Sequence, residues 1–426
     1  MAVEVGFYGL LALMLLLVIR VPIALALIGV SLGGLAIMLG MNTAVSLLAS
    51  KPYEFVSKWT LSAVPMFLLM GFVCFHSGLT SGLFTAAKAL FRWLPGGVAI
   101  SSIFASAGFA AVSGSSVACA AAMGRIAIPE MVKGGYKPSF ACGTIAAGGT
   151  IGALIPPSIL MIIYGVFVQE SITELFLGGL TIGLITTVGY SLVILLMAWL
   201  KPDVCPRVST GIENIDTKQA IIDVWPVVLL GFVVFGGLFS GVFTATEAGA
   251  VGAIGSILLA LGLKRIDMGG MKKALFETLG TTSMLLVIGI GASMFTLFLS
   301  LSGMAGYISA AVTTWDLSYL ELMAIIVLIY LLLGLFMEPL GAMLVTLPIF
   351  MPIFETYNLS LIWFGVLLVK LLEIGMITPP VGMNIFVIRG VATEYATLVD
   401  IFKGVTTYLI ADLFIVALLI LFPQII

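Results

Sequence analysis

The chain has 426 residues, 61% of them hydrophobic and 9% charged, with a formal net charge of −2 and a mean hydropathy of +1.26. No soluble core could bury that much apolar side chain, so the bilayer is the solvent for most of the molecule and a soluble enzyme or binding domain is excluded.

Apolar runs recur from end to end, among them Phe7 to Ile19, Val224 to Phe239, Met323 to Phe336 and Val405 to Phe422. Several approach the roughly 20 residues that cross a hydrocarbon core of about 30 Å, and about a dozen helical segments fit. Lipid cannot satisfy backbone groups, and the ten-residue alternation of an outer-membrane barrel is missing. The expected fold class is therefore an all-α polytopic membrane protein.

Residues 1–60 read as N-terminal scaffold helices. The first run opens with Glu4, where a signal peptide carries Lys or Arg, and continues through Arg20 and Pro22 into a second run, so it is kept as a span. Residues 61–200 hold the first copy of a repeat. His76 is the single histidine; a zinc site or a Ser-His-Asp triad could be built around it, but the favoured reading is a packing role at a helix end. Cys74, Cys119, Cys142 and Cys205 have neither pairing nor metal spacing and read as packing residues. Residues 201–277 combine a polar connection, Lys201 to Asp223, with Gly-rich scaffold helices over Val224 to Leu263, in which Glu247 reads as structural. Residues 278–426 hold the second copy.

The repeat rests on two landmarks. Ile126-Ala127-Ile128-Pro129 and Ile349-Phe350-Met351-Pro352 stand 352 − 129 = 223 residues apart, and Pro156-Pro157 and Pro379-Pro380 share that offset. It aligns Ser113-Gly114-Ser115-Ser116 with Phe336-Met337-Glu338-Pro339. Lys88, Arg92, Lys133 and Lys137 mark the base of the first hairpin as cytoplasmic, whereas Asp316, Glu321 and Glu355 mark the base of the second. An odd number of crossings between the copies inverts the second. Lys51 and Lys58 are the exceptions, on the outer side.

Each copy has an apolar run broken by small or polar residues, near 113–116 and near 338–341, which reads as a re-entrant hairpin tip inside the membrane. Each also has a helix broken at its double proline, near 155–157 and 378–380, where lost amide donors free carbonyls upstream. Such discontinuities at matching places of inverted repeats point to a secondary transporter's midplane site. Tip hydroxyls and free carbonyls are the hard oxygen ligands of a small cation, and helix N-termini suit an anion. Arg125, Glu130, Glu338, Lys370, Glu373 and Asp412 are the charges expected within the membrane, with Lys370 and Glu373, three apart on one face, expected to pair with each other. No Walker motif, HExxH motif or GxSxG nucleophile elbow is read in the sequence, the spacing Gly29-Val30-Ser31-Leu32-Gly33 lying inside an apolar run, so ATP-driven pumping and hydrolysis have no support.

The stretches Leu94 to Met131, Gly148 to Ser158 (GGTIGALIPPS), Gly241 to Val251 (GVFTATEAGAV) and Ile377 to Val387 (ITPPVGMNIFV) together resemble the large membrane subunit of tripartite ATP-independent periplasmic (TRAP) transporters, essentially end to end. The resemblance implies a Na⁺-coupled, elevator-type importer in a bacterial inner membrane for an organic acid such as sialic acid or a C4-dicarboxylate. Its implied partners are a small four-helix membrane subunit on a separate chain and a periplasmic substrate-binding protein. Carried onto these positions, a first Na⁺ site falls on Ser113, Ser115, Gly152, Ile155 and Pro157. Pseudosymmetry adds a second on Glu338, Gly341, Gly375, Thr378 and Pro380, and substrate contacts are expected from Ser116, Glu338 and Asn384. Glu338 stands where the family pattern leads one to expect Asp, and Lys370 where a neutral polar residue is common. A stand-alone Na⁺/dicarboxylate symporter with a similar core, an ion channel and, from another class, a membrane-embedded enzyme remain the alternatives.

Overall fold

The computed structural model describes residues 2–207 and 217–426, and all regular structure among them is helical. The chain begins with α1 (Ala2–Val18), α2 (Ile23–Leu39), α3 (Met41–Ala49) and α4 (Lys51–Val56). Then come α5 (Ala63–His76), α6 (Gly82–Phe91), α7 (Gly97–Ser113), α8 (Ser116–Lys133), α9 (Pro138–Thr150), α10 (Ile159–Val168) and α11 (Ile172–Leu200). Two helices, α12 (Thr217–Phe239) and α13 (Ala245–Gly262), lead to the 35-residue α14 (Met268–Ser302). The last stretch is α15 (Met304–Thr314), α16 (Tyr319–Gly334), α17 (Pro339–Thr356), α18 (Leu361–Gly375), α19 (Met383–Val391) and α20 (Leu398–Leu421).

Among the described residues, seven helices are long and apolar enough to cross a membrane: α5 with its preceding turn, α11, α12, α13, α14, α17 and α20. The polar connection expected over Lys201 to Asp223 is shorter than its composition suggests, because α12 already includes Lys218 and Asp223. Gln219 Nε2 donates to Asp223 Oδ1 at 3.1 Å, a pair at the spacing that supports a helix. The remainder of that connection, 208–216, lies outside the described residues. Glu247 closes a capping box with Thr244 at the start of α13, satisfying amides that have no carbonyl partner within the helix.

Element boundaries recur at the offset of 223. Adding it to 116 and 133, the ends of α8, gives 339 and 356, the ends of α17. Adding it to 138, the start of α9, gives 361, the start of α18. The peptide bonds Pro156-Pro157 and Pro379-Pro380 are both cis.

Small residues set how closely the helices approach. Gly34 of α2 and Gly9 of α1 face the Phe298 ring of α14, and Gly143 of α9 lies directly on the backbone of Gly404 in α20. α14 also lies against α5, which packs on α13. Buried apolar side chains gather in two clusters, one around Phe67, Phe176, Phe298 and Phe364, the other around Phe109, Phe140, Tyr190 and Tyr408. The chain passes between clusters at Leu154 and Ile155, and again between Ile374 and Ile377. Both broken segments therefore lie on the seam.

Candidate functional site

The first break is a two-residue turn. Gly114 ends α7 at φ +63°, a left-handed conformation that costs glycine little. Ser115 is extended and caps α8, its Oγ accepting the Ala118 amide at 3.4 Å. The second break follows α9, where one tight turn, Ile151–Ala153, leads into Pro156-Pro157 and Ser158 caps α10. Residues 151–158 are all buried, the condition under which irregular backbone is tolerated at membrane depth.

These two breaks touch. A Cβ on Gly114 would overlap the Pro157 carbonyl oxygen, and one on Gly152 would stand 2.8 Å from the Ser115 carbonyl oxygen. The Ser113 hydroxyl is buried beside them without a hydrogen-bond partner. Ser113, Ser115, Gly152 and Pro157 thus come together as expected, and Ile155 turns its side chain toward Gly183 of α11. An uncharged set of carbonyls and hydroxyls, one of them unsatisfied, is a donor set that fits a hard monovalent cation.

The corresponding positions of the second stretch are arranged differently. α16 ends at Gly334, so residues 335–338 make the turn, and Glu338 caps α17 with its backbone alone. Gly375 packs on Gly334, its Cβ position 2.6 Å from the Gly334 Cα, one turn before the tip rather than at it. Gly341 faces Ile23 of α2, away from the broken helix. The Thr378 hydroxyl donates to the Ile374 carbonyl at 2.6 Å. Pro379 and Pro380 are exposed where Pro156 and Pro157 are buried.

Both tips border one cavity of about 540 Å³, with Ser113 to Ser116 on one wall and Glu338 to Leu340 on another. Glu277 and Glu373 also line it, beside Phe72, Phe75, Phe109 and Leu160, and no Lys, Arg or His does so among the described residues. His76 does more than end its helix: its Nε2 lies 3.0 Å from the Glu277 carboxylate.

Behind the cavity the expected Lys370–Glu373 pair is replaced by another. Lys370 Nζ lies 2.5 Å from Asp412 Oδ1 on α20, both side chains fully buried, and donates at 3.3 Å to Thr186. The Tyr190 hydroxyl reaches both Asp412 oxygens at 2.8 Å and Thr150 at 3.2 Å. Spacing along α18 fixes only a shared face; the long lysine stem reaches across to the carboxylate that would otherwise be an uncompensated buried charge. Glu373 instead stands against the Ser116 hydroxyl. Glu130, also expected within the membrane, pairs with Lys88 at 2.6 Å.

Of the expected substrate contacts, Ser116 and Glu338 line the cavity. Asn384 does not; it is buried one layer behind, near Gly149 and the Ser116 carbonyl. Sequence reasoning overlooked Glu277 and Glu373 as cavity residues. For Glu373 a signal existed: subtracting 223 gives Thr150, so a carboxylate replaces a hydroxyl at an equivalent position.

The family model for the DctM component of tripartite ATP-independent periplasmic transporters matches residues 10–425. A C4-dicarboxylate TRAP transporter large permease protein of Pseudomonas aeruginosa is 38% identical over 361 residues, 84% of each chain. A sialic acid TRAP transporter large permease protein of Vibrio cholerae is 30% identical over 412 residues, covering 96% of this chain and 94% of that one. Among solved structures, the YdaH transporter of Alcanivorax borkumensis superposes with a TM-score of 0.61 at 15% identity, over 90% of this chain and 89% of that one. MtrF of Neisseria gonorrhoeae gives 0.58 at 14%, over 89% and 85%. At such identities the structural likeness concerns the fold alone.

Proposed function

Since the chain belongs to the DctM component family of tripartite ATP-independent periplasmic transporters, a multi-pass permease of the bacterial inner membrane and not an enzyme, we propose that it imports an organic acid of the C4-dicarboxylate or sialic acid type, coupled to Na⁺. The observation that carries this reading is the single cavity bordered by both hairpin tips, with the first tip closed onto the buried double proline.

In this reading 61–200 and 278–426 are inverted copies that form the moving body, and 1–60 with 201–277 form the scaffold, an elevator arrangement. The recurrence of element boundaries at 223 supports the two copies. One Na⁺ binds among Ser113, Ser115, Gly152, Ile155 and Pro157, where the unpartnered Ser113 hydroxyl supports it. A second binds around Glu338, Gly375, Thr378 and Pro380, which must close further to do so, since Pro380 is exposed and Gly341 faces away. The helix N-termini at Ser116 and Pro339 point their amide dipoles at the carboxylate of the substrate. Two Na⁺ entering together release about 4.6 kcal/mol per 100 mV, at roughly 2.3 kcal/mol per charge, before the substrate's own charge is subtracted.

The reading calls for two partners, a small four-helix membrane subunit and a periplasmic substrate-binding protein. It is tested in proteoliposomes containing both membrane subunits. Uptake of the labelled acid is expected only with external Na⁺ and the binding protein. Na⁺-driven uptake at full rate without the binding protein identifies a stand-alone symporter instead. Full-rate uptake without Na⁺, under an inward proton gradient, overturns the Na⁺ coupling.

A further inference from the structure

Four helices meet in one buried polar network behind the cavity. Lys370 of α18 holds Asp412 of α20 at 2.5 Å, and α11 supplies a partner to each. Thr186 accepts from Lys370 at 3.3 Å, and Tyr190, four residues on along the same helix face, lies 2.8 Å from both Asp412 oxygens. All four side chains are fully buried. Thr150, the last residue of α9, joins through its hydroxyl, 3.2 Å from the Tyr190 oxygen. Subtracting 223 from 370 and 412 gives Ala147 and Gly189, so the network is built once, joining the stretch 278–426 to the stretch 61–200.

The number of protons orders these contacts. Tyr190 has one hydroxyl proton and gives it to Asp412, since a carboxylate is the stronger acceptor. Its oxygen is then left to accept, strengthened by that donation, and Thr150 is the donor beside it. The Thr150 hydroxyl also donates at 2.7 Å to the Ala147 carbonyl, whose next-turn amide, that of Ile151, goes to Gly148 and Gly149 instead. One threonine proton is therefore shared between a carbonyl at the end of α9 and the tyrosine. The turn Ile151–Ala153 starts at the next residue, and its Gly152 lies against the Ser115 carbonyl. The placement of Thr150 thus sets how the turn meets the hairpin tip.

We propose that Tyr190 is a positioning residue for the cation site at the first hairpin tip: held by the Lys370–Asp412 pair, it fixes Thr150 and, through it, the turn that carries Gly152. The proposal rests on the Na⁺-coupled reading above. Tyr190, Lys370 and Asp412 do not line the cavity, so their influence on the ion is exerted through the turn. Because α18 leads into Pro379-Pro380, a movement of the second broken helix reaches the first site along this network.

The test is the Na⁺ concentration for half-maximal uptake in proteoliposomes holding both membrane subunits and supplied with the binding protein. The complex is compared unaltered and with Tyr190→Phe, Thr150→Val, both together, Thr150→Ser or Tyr408→Phe. Tyr190→Phe and Thr150→Val are each expected to raise half-saturation about 3- to 10-fold, the factor that one hydrogen bond supplies. The double variant is expected to go no further than the larger single one, because the two side chains act through one link. Thr150→Ser keeps the hydroxyl and is expected to stay near the unaltered value. Tyr408→Phe is the structural control: its hydroxyl lies 2.8 Å from Thr144, six residues before Thr150 on α9, so an equally buried tyrosine hydroxyl is lost from the same helix without touching the turn. Thr150→Val leaves Asp412 with its partners and carries the test if Tyr190→Phe does not assemble. Half-saturation unchanged in both single variants overturns the proposal. An equal rise in Tyr408→Phe also overturns it, as general loosening of α9, and so do effects that multiply in the double variant. Full-rate uptake by the unaltered complex without Na⁺ removes the Na⁺-coupled reading itself, whereas Na⁺-dependent uptake indifferent to Tyr190 and Thr150 removes this inference alone.

Discussion

Gly152→Ala tests the contact on which the proposed first cation site depends. The added Cβ would stand 2.8 Å from the Ser115 carbonyl oxygen, 3.0 Å from its carbon and 3.0 Å from the Ser116 Cα. Comfortable carbon contacts lie near 3.5 to 4.0 Å, so relief needs roughly 0.5 Å or more of separation. All three atoms belong to the backbone, and no side-chain rotation can supply it. An extra carbon in a packed place costs about 1 to 3 kcal/mol. The available relief is to part the tight turn Ile151–Ala153 from the hairpin tip, which opens the carbonyl cage. Na⁺ affinity then falls by about 5- to 150-fold, since 1.4 kcal/mol is tenfold. The assay is the Na⁺ concentration for half-maximal uptake in proteoliposomes, with Na⁺-dependent thermal stabilisation as a second measure. Gly33→Ala is the control, because nothing lies within 4 Å of its Cβ position. Half-saturation unchanged in Gly152→Ala would refute the argument, because the methyl group would have been accommodated without opening the cage.

Two further predictions follow from the buried charges and the charge bias. Lys370→Met leaves Asp412 buried without its cation and is expected to lower stability by about 3 to 5 kcal/mol, whereas Lys370→Met with Asp412→Leu recovers most of it; thermal unfolding in detergent decides, and equal losses in the single and double variants would show that the pair is not coupled. Single cysteines at Lys137 and Asp316, in a cysteine-free background, are expected to react from opposite sides of the membrane, and labelling of both from the periplasm defeats the inverted arrangement.

The helices and their breaks were legible because proline, glycine and serine act on the backbone where they stand. The offset of 223 between the double prolines was enough to anticipate that α8 and α17 begin and end in step. Partners of charges were not legible. Lys370 finds Asp412 at a separation of 42 residues, on another helix, and no spacing rule relates two helices before their packing is known. The i, i+3 rule names neighbours on one helix face, and here it named the wrong one.

The asymmetry between the two hairpins has a local cause that the alignment already contained. Residue 337 occupies the place of Gly114, since 337 − 223 = 114, and it is a methionine. Glycine enters the left-handed region at little cost, so the first tip reverses within Gly114 and Ser115 and lets the backbone close onto Pro157. Methionine has no such freedom. The second tip therefore spreads its reversal over 335–338, Gly375 meets the hairpin a turn early at Gly334, and Pro379 and Pro380 stay exposed. The same motif, Pro-Pro after a broken helix, meets a closed turn in one copy and a spread one in the other; all four aligned tip positions differ, and the exchange of Gly114 for Met337 is the one that removes the left-handed turn. Under the proposed Na⁺ coupling, the open copy is the one with freedom to close when substrate and Na⁺ arrive, and the closed copy is the one preorganised to hold its ion first.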